Sequence, residues 1–246
     1  MTRSGSSRRN VLQIVPKRTS GPDGIGDYAV LLAELLLERH NVQSVFLSGT
    51  PVGAHPPGRD GWPSVSVHER SSDGLSTALR EAEAQYAFSS IILHAGGYGY
   101  ATRGAPFWLL GGLKQWRART PAGNLLGIFH ELYASGKPWN SSFWMGPLQK
   151  HVARQLWNLA DHGITTNSRY LADLVAWRPE MSDRVQLMPV PSNMGEPEEV
   201  PPSDSRATRA VVFGVPGGKT VMPPQANMVQ LVERIAAGQP GLAEGD

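Results

Sequence analysis

The stretch that decides the fold is residues 10–40, NVLQIVPKRTSGPDGIGDYAVLLAELLLERH. It opens on an apolar run, residues 11–15, which Pro16 closes, and such a run is typical of a buried strand in a parallel sheet. A loop rich in Gly and Pro follows. After Asp27, which stands where an N-cap or first-turn acid would stand, apolar residues recur at helical spacing. The stretch therefore predicts a strand, a glycine loop and a helix, in that order.

The glycines of this loop suit the binding of an anion. A loop of this kind directs backbone N–H groups and a helix N-terminus at the ligand, and the anion expected here is a phosphate. Gly24 and Gly26 lead directly into the predicted helix. Glycines between a strand and a helix can also serve only to make the turn. Both interpretations stay open on the glycines alone.

Composition limits the function classes. The chain has 246 residues, of which 40% are apolar and 18% are charged, and this describes an ordinary globular protein of one large or two modest domains. A net charge of +2 is too small to predict a nucleic-acid partner. No run reaches the roughly 18 apolar residues of a membrane span, which leaves only peripheral membrane contact open. The absence of cysteine fits a reducing compartment, so a cytoplasmic location is expected.

Apolar runs alternate with helical patterns along the chain. This alternation predicts an α/β fold with a doubly wound, Rossmann-like parallel sheet and right-handed crossovers. After the first strand, strands are predicted at residues 44–48, 65–67, 90–94, 125–129, 163–166 and 185–191, and after the first helix, helices are predicted at 75–86, from Pro106 through Trp116, at 147–160 and at 167–177. Residues 132–146, with Trp139, Phe143 and Trp144, are predicted to be a loop.

Polar side chains lie where the predicted strands end. In doubly wound sheets ligands bind outside the carboxyl ends of the strands. The residues at or just after such ends are His94, Tyr98, His130, Glu131, Asn167 and Ser168. Adjacent residues at one strand end can both reach a ligand, so His130 and Glu131 are candidates for an acid–base or sugar-binding pair. The alternative is a buried histidine bonded to a neighbouring loop.

The remainder of the chain changes in composition. Residues 1–9 predict a disordered leader and residues 10–194 the Rossmann-like domain. Residues 195–208, rich in Pro, Glu, Ser and Asp, predict a linker. Residues 209–246 resemble the start of a second domain, but about 40 residues cannot build a core of their own. They are therefore expected to be a short, incomplete C-terminal fragment.

Two nucleotide motifs are matched only in part. Residues 24–29 fit the dinucleotide fingerprint, but the connection from Pro16 is longer than its tight turn and residues 48–50 offer no acid for a ribose. Residues 214–220 resemble a P-loop whose first glycine is one residue too close to Lys219, and a Pro-Pro pair follows. A nicotinamide enzyme and a nucleotide triphosphatase are therefore both disfavoured. No histidine pair has the helical spacing of a zinc site, so no metal is predicted.

Four ordered motifs together resemble the N-terminal domain of retaining, family 4-like glycosyltransferases, which have the GT-B fold of two Rossmann-type domains. The motifs are residues 24–28 (GIGDY), 129–131 (FHE), 160–168 (ADHGITTNS) and 187–193 (LMPVPSN). The resemblance covers residues 10–214. It implies that this half binds the acceptor, whereas the C-terminal domain binds most of the nucleotide-sugar.

The resemblance also implies roles for individual residues. Gly24, Gly26 and Asp27 would lie near the donor diphosphate, and His130 would contact the transferred sugar, with Glu131 beside it as the second catalytic candidate. The pair Asn167-Ser168 would lie near the cleft, with His94 and Tyr98 as further substrate-binding candidates. Helix dipoles and basic side chains stabilise the leaving diphosphate in this family, so neither a metal nor a cofactor is implied.

The chain departs from the family pattern in its last part. Val215 stands where the family has an arginine, only Lys219 could serve as the basic partner, and the Glu-x7-Glu element has no counterpart. The expected function is sugar transfer with retention from a nucleotide-sugar to a glycan or lipid-linked acceptor, by a chain that is truncated, inactive alone or completed by a separately encoded C-terminal half. The alternatives are a non-catalytic α/β binding or interaction domain and a dinucleotide-dependent enzyme.

Overall fold

The computed structural model describes residues 9–18, 23–50, 61–135, 137, 139 and 141–190. The predictions for the leader before Arg9, the linker, the C-terminal fragment and Lys219 lie outside these residues.

Seven strands form one parallel sheet in the order β3-β2-β1-β4-β5-β6-β7. They are β1 Arg9–Val15, β2 Val42–Ser48, β3 Ser64–Ser66, β4 Ser90–Gly96, β5 Asn124–Glu131, β6 His162–Thr165 and β7 Val185–Leu187. This is the 3-2-1-4-5-6 order of the dinucleotide-binding fold with one further strand. The structure confirms the doubly wound, Rossmann-like parallel sheet.

Six α-helices connect the strands. They are α1 Gly24–His40, α2 Ser72–Tyr86, α3 Gly97–Tyr100, α4 Phe107–Arg119, α5 Ser141–Leu159 and α6 Ser168–Trp177, and the 3₁₀-helix Pro179–Arg184 precedes β7. Helix α1 begins at Gly24, so the two glycines form its first turn rather than a loop ahead of it. Asp23 is the N-cap, and Asp27 is the first-turn acid that was predicted.

Two predicted boundaries are wrong. Helix α5 begins at Ser141 rather than at Pro147, so Phe143 and Trp144 are helical and not in a loop. Pro147 lies inside the helix, where it has no N–H to donate to the carbonyl four residues earlier, and the preceding turn is helical in spite of this loss. Strand β7 ends at Leu187, because Pro189 has no N–H to offer a neighbouring strand.

The two faces of the sheet are packed differently. The face covered by α2, α4 and α5, which we call the apolar face, carries the largest hydrophobic cluster, with Trp116 and Trp157 fully buried in it. The face covered by α1, which we call the α1 face, carries two small clusters, one around Phe46 and one around Ile92. Side chains alternate along each strand, so Leu12 of β1 faces the first cluster and its neighbour Gln13 faces α1.

A charged clamp closes the amino-terminal edge of the sheet. Asp161 Oδ2 accepts hydrogen bonds from Arg117 Nη2 at 2.6 Å and from the Leu125 amide at 2.8 Å. Arg117 Nη2 also donates to the Leu159 carbonyl at 2.8 Å. Asp161 belongs to one of the four family-like motifs, and the structure gives it a role in joining α4, α5 and the starts of β5 and β6.

Candidate functional site

The strand order reverses between β1 and β4, and ligands of doubly wound sheets bind at this switch point, outside the carboxyl ends of the strands. The first turn of α1 lies there. A Cβ atom placed on Gly96, the last residue of β4, would lie 2.7 Å from Ile25 Cδ1. The start of α1 therefore packs against the end of β4, and a larger residue at this position would require the Ile25 side chain to move.

The first turn of α1 keeps its backbone approachable. A Cβ on Gly24 would have no heavy atom within 4 Å, so this residue borders open space. Asp23, the N-cap, makes no side-chain capping hydrogen bond, and its Oδ2 atom is buried without a hydrogen-bond partner among the described residues. The Asp23 carboxylate therefore does not occupy the first N–H groups of the helix, which are the groups that bind anions.

A line of four polar side chains crosses the α1 face beneath this turn. Gln13 Nε2 donates to Ser44 Oγ at 2.8 Å, and Gln13 Oε1 lies 2.7 Å from His94 Nε2. His94 Nδ1 lies 3.2 Å from His130 Nε2. The first three side chains are buried and His130 is half-buried. We call Ser44, Gln13, His94 and His130 the polar ladder; it joins β2, β1, β4 and β5.

The polar ladder runs towards the carboxyl edge of the sheet. Ser44 is in register with Val11 of β1, but it is bonded to Gln13, which is two residues further along. The same offset of two residues separates Gln13 from His94 and His94 from His130. Each hydrogen bond therefore advances one side-chain repeat of the strand, and the line ends at the carboxyl end of β5.

His130 occupies a β-bulge. Ala95 pairs with Phe129 and the next residue, Gly96, pairs with Glu131, so His130 is the extra residue of the ladder of strands. A bulge re-aims a side chain and ends regular pairing, and bulges are common beside active sites. The bulge allows His130 to keep its bond to His94 while its ring reaches the edge of the sheet.

Both histidines are neutral at physiological pH. Burial lowers the pKa of His94 to about 3, and the nearby His130 ring adds to the effect. Burial lowers the pKa of His130 to about 4. The two rings lie nearly parallel, at an interplanar angle of 13° with their centroids 5.5 Å apart, which is compatible with the hydrogen bond between their ring nitrogens. His130 can accept or donate a hydrogen bond to a ligand, but it brings no positive charge to a phosphate.

Tyr28 connects the helix to the histidines. Its ring meets His94 edge-on at 5.9 Å and His130 at 5.2 Å between centroids. Burial raises the pKa of Tyr28, so its hydroxyl stays protonated. The first turns of α1 and the end of the polar ladder are therefore parts of one packed unit.

His130 and Glu131, the predicted pair, do not face the same way. His130 lies on the α1 face, whereas Glu131 is exposed and lines a small pocket on the apolar face with Gly97 and Gln149. Burial, and then the charge of Glu131, raise the pKa of Tyr170 in α6. The structure thus brings His130 together with His94 and places Glu131 on the side of α6.

Asn167 and Ser168 begin helix α6. Asn167 is the N-cap, and its side-chain oxygen accepts from the Arg169 amide at 2.8 Å. At the end of β6, Thr165 Oγ1 donates to the Phe129 carbonyl at 3.0 Å, which joins this end to β5 just before His130. The pair lies at the predicted edge of the sheet, one strand beyond His130.

Tyr98 and His94 serve the interior of the fold. The Tyr98 hydroxyl accepts from Gln149 Nε2 at 3.0 Å, and Gln149, which is buried, also accepts from the Ala134 amide at 2.7 Å. His94 is fully buried and both of its ring nitrogens are bonded within the ladder. Tyr98 keeps an exposed ring edge, whereas His94 reaches a ligand only through His130.

Sequence reasoning missed Gln13, Ser44 and Tyr100. Gln13 interrupts an apolar strand, which is the one signal that could have marked it. The buried hydroxyl of Tyr100 bonds to the carbonyls of Ile14 at 3.1 Å and His94 at 3.0 Å, across the switch point. These residues hold the site together without approaching its surface.

The end of β2 bears on the dinucleotide alternative. Thr50 Oγ1 donates to the Pro16 carbonyl at 3.0 Å, and the Thr50 amide donates to Ser48 Oγ at 3.2 Å. Both side chains are buried and bonded to the protein itself. An NAD site would need a carboxylate at this strand end for the ribose, and Ser48, Gly49 and Thr50 supply none.

Within the described ranges, no three His, Asp or Glu side chains come close enough together to hold a metal ion. Nor is any helix of that part of the chain both long and apolar enough to cross a bilayer.

The sequence matches no protein-family model and no curated protein. Solved structures similar to it include the S. aureus MnaA–UDP co-structure, with 11% identity, a TM-score of 0.47 and coverage of 73% of this chain and 43% of that one. The Neisseria meningitidis UDP-GlcNAc 2-epimerase bound to UDP-GlcNAc has 13% identity and a TM-score of 0.45, and the match covers 72% of this chain and 46% of that one. The Methanocaldococcus jannaschii UDP-GlcNAc 2-epimerase in complex with UDP-GlcNAc and UDP has 9% identity and a TM-score of 0.42, and the match covers 72% of this chain and 46% of that one. The chain spans less than half the length of these three proteins.

Proposed function

We propose that this chain is the acceptor-side half of a retaining glycosyltransferase of the GT-B type. A nucleotide-sugar would lie at the carboxyl edge of the sheet, with the transferred sugar against His130 and the diphosphate near Gly24 and Gly26. Residues 10–194 would form this domain, residues 195–208 a linker, and residues 209–246 the start of a nucleotide-sugar-binding domain. A glycan or a lipid-linked alcohol would be the acceptor, in the cytoplasm.

The observation that carries the proposal is the end of the polar ladder. A neutral, half-buried imidazole on a β-bulge lies one strand from the switch point, packed through Tyr28 against the first turn of α1. A neutral imidazole suits the hydroxyl groups of a sugar, and a helix N-terminus suits a phosphate. Tyr28 of α1 joins the two groups, and in a nucleotide-sugar the sugar is bonded directly to the diphosphate.

Retention assigns few chemical tasks to the protein. In same-face transfer the bond from the anomeric carbon to the diphosphate oxygen breaks while the bond to the acceptor oxygen forms, and the acceptor proton passes to the leaving diphosphate. The N–H groups of α1 would stabilise the charge on that diphosphate. His130 would orient the sugar, and Lys219 would be a further substrate-binding residue.

The proposal is tested by titrating the full chain, labelled with ¹⁵N-histidine, with UDP-glucose, GDP-mannose and ADP-glucose at millimolar concentration. At least one nucleotide-sugar should shift the His130 signals, and His130→Ala should weaken its binding by about tenfold, the worth of one hydrogen bond. His151→Ala, an exposed histidine of α5, is the matched control and should bind as the wild type does. If no nucleotide-sugar affects His130, either in the chain alone or with a separately produced C-terminal half, the proposal fails.

Asp27 offers a sharper test of where the diphosphate lies. Its exposed carboxylate is in the first turn of α1, so it should repel a diphosphate bound to the same turn. Asp27→Asn should therefore tighten binding of the nucleoside diphosphate several-fold, and the gain should shrink as salt is added. The exposed Glu38, near the other end of α1, is the control through Glu38→Gln.

Sugar transfer to a glycan or lipid-linked acceptor is then assayed with the chain alone and with a separately produced C-terminal half. Binding without transfer in either assay would favour the alternative, a non-catalytic binding domain.

A further inference from the structure

The polar ladder contains more than the proposed binding of a sugar requires. Three of its four side chains are buried on the α1 face, where the neighbouring strand positions carry Val11, Ile92 and Ile128. Apolar side chains at Ser44, Gln13 and His94 would pack such a face more simply. The ladder is instead continuous, with each member bonded to the next. A continuous line of this kind can fix the direction in which protons are arranged.

The direction follows from Gln13. Its Oε1 atom can only accept, so His94 Nε2, 2.7 Å away, carries the hydrogen. A neutral His94 then has an unprotonated Nδ1 atom, which can only accept. His130 Nε2, 3.2 Å from it, must therefore be the donor. The hydrogen of neutral His130 is consequently on Nε2, and a lone pair remains on Nδ1.

We propose that the polar ladder fixes His130 as the Nε2–H tautomer, so that its Nδ1 atom accepts a hydrogen bond from a hydroxyl group of the ligand, with Gln13 as the positioning residue. A phosphate oxygen offers only lone pairs, so Nδ1 would repel it rather than bind it. The burial that keeps both histidines neutral supports the assignment. The tautomer is a property of the protein without ligand; its use for a sugar hydroxyl rests on the function proposed above.

A reversed ladder is the competing arrangement. Ser44 can donate as well as accept, so a Gln13 amide turned by 180° would donate to His94 Nε2. His94 would then donate from Nδ1 to His130 Nε2, and His130 would carry its hydrogen on Nδ1. The two arrangements use the same heavy-atom positions and predict opposite tautomers, so one spectrum separates them.

The test is a long-range ¹H–¹⁵N spectrum of the histidine rings of the full chain at pH 7, without ligand. The expected result is an unprotonated Nδ1 and a protonated Nε2 in both His94 and His130, with His130→Asn used to assign the signals. His162, exposed at the start of β6, provides the reference for a solvated ring. A protonated Nδ1 in His130 would overturn the proposal.

The positioning role of Gln13 is tested by substitution. Gln13→Leu removes the acceptor that fixes His94, so the His130 signals should move to a mixture of both tautomers. Gln115→Leu, the same change on α4, should leave them unchanged. In case Gln13→Leu does not fold, Gln13→Met keeps the length of the side chain, removes the same hydrogen-bond acceptor and should give the same mixture of tautomers. Unchanged His130 tautomers in both ladder variants would contradict the role of Gln13.

The ligand arm separates this inference from the proposed function. If both hold, a nucleotide-sugar should shift the Nδ1 signal of His130, whereas the nucleoside diphosphate alone should not. Gln13→Leu should then weaken the binding of the nucleotide-sugar by about tenfold and the binding of the nucleoside diphosphate by much less. If His130 is the Nε2–H tautomer but no nucleotide-sugar shifts its signals, the proposed function is rejected and the proposal about the tautomer stands. If a nucleotide-sugar shifts the signals but His130 carries its hydrogen on Nδ1, the proposal about the tautomer is rejected and the proposed function stands.

Discussion

The two faces of the sheet solve the same packing problem in different ways. On the apolar face polar atoms are bonded in separate small groups: Trp157 Nε1 donates to the Leu174 carbonyl at 3.0 Å and Trp116 Nε1 to Glu83 Oε1 at 2.7 Å. On the α1 face polar side chains from four strands are bonded in one line. The first arrangement leaves apolar contacts dominant, whereas the second gives up apolar contacts and holds one imidazole, that of His130, at the carboxyl edge of the sheet.

The comparison has an energetic side. A satisfied buried hydrogen bond adds only about 1 kcal/mol to stability, whereas an orphaned partner costs about 1–3 kcal/mol. Truncation of a buried apolar side chain lowers the stability of the protein in proportion to the volume of the cavity that it leaves. The unfolding free energy should therefore depend on side-chain volume for substitutions on the apolar face, and on pH and side-chain polarity for substitutions on the α1 face. The four predictions below test this contrast, beginning with the largest effect.

Acid should destabilise the protein through the α1 face. The folded-state pKa values of His94 and His130, about 3 and about 4, lie below the ordinary value of 6.5, so the unfolded chain takes up protons first as the pH falls. The stability is complete above pH 6.5 and is lost below it, at about 1.4 kcal/mol per pH unit for each histidine. Urea unfolding at pH 8 and pH 4.5 should differ by about 5 kcal/mol from these two groups.

A variant series isolates that contribution. Between pH 4.5 and pH 6.5, His130→Gln should halve the slope of the unfolding free energy against pH, because one of the two titrating histidines is gone. His151→Gln on α5, where the ring is exposed, should keep the full slope. An equal slope in wild type and His130→Gln would mean that carboxyl groups elsewhere cause the acid effect.

Trp157→Ala should produce the next largest effect, on the apolar face. The side chain is fully buried, meets Phe129 edge-on at 6.0 Å between centroids and covers Gly163. Truncation of a large buried aromatic residue costs about 3–5 kcal/mol, and the loss should be the same at pH 8 and pH 6. Trp139, 76% exposed, is the matched tryptophan, and Trp139→Ala should change the unfolding free energy by less than about 0.5 kcal/mol.

The difference between the faces also marks what the sequence could predict. Alternating apolar runs were enough for the Rossmann-like sheet, and polar residues after the strands were enough to find the edge that carries His130 and Asn167. The ladder could not be predicted, because its bonds depend on strand order and register, which join Ser44, Gln13 and His94 across more than 80 residues of sequence. The start of α5 was missed because Pro147 is a good first residue of a helix as well as a tolerated later one.

A smaller effect should separate polarity from volume on the α1 face. Gln13→Leu keeps the size but orphans His94 Nε2, and should cost about 1–3 kcal/mol in urea unfolding at pH 8. His94→Leu should cost a similar amount. The double variant removes both partners of the 2.7 Å bond, so its cost should be at least about 1 kcal/mol less than the sum of the two. Additive costs would mean that the two side chains act as separate packing elements and not as a ladder.

The smallest effect should come from the sheet edge that both faces share, at the N-cap of α6. Asn167→Ala removes the acceptor of the Arg169 amide and should cost about 1 kcal/mol, whereas Asn167→Asp keeps an acceptor and should cost almost nothing. Ser168→Ala, the next residue, is exposed and serves as the control. Because Asp at this position adds a negative charge to the same edge of the sheet as the proposed diphosphate, Asn167→Asp should weaken the binding of a nucleotide-sugar without loss of stability. An unchanged affinity in Asn167→Asp would place the diphosphate away from α6.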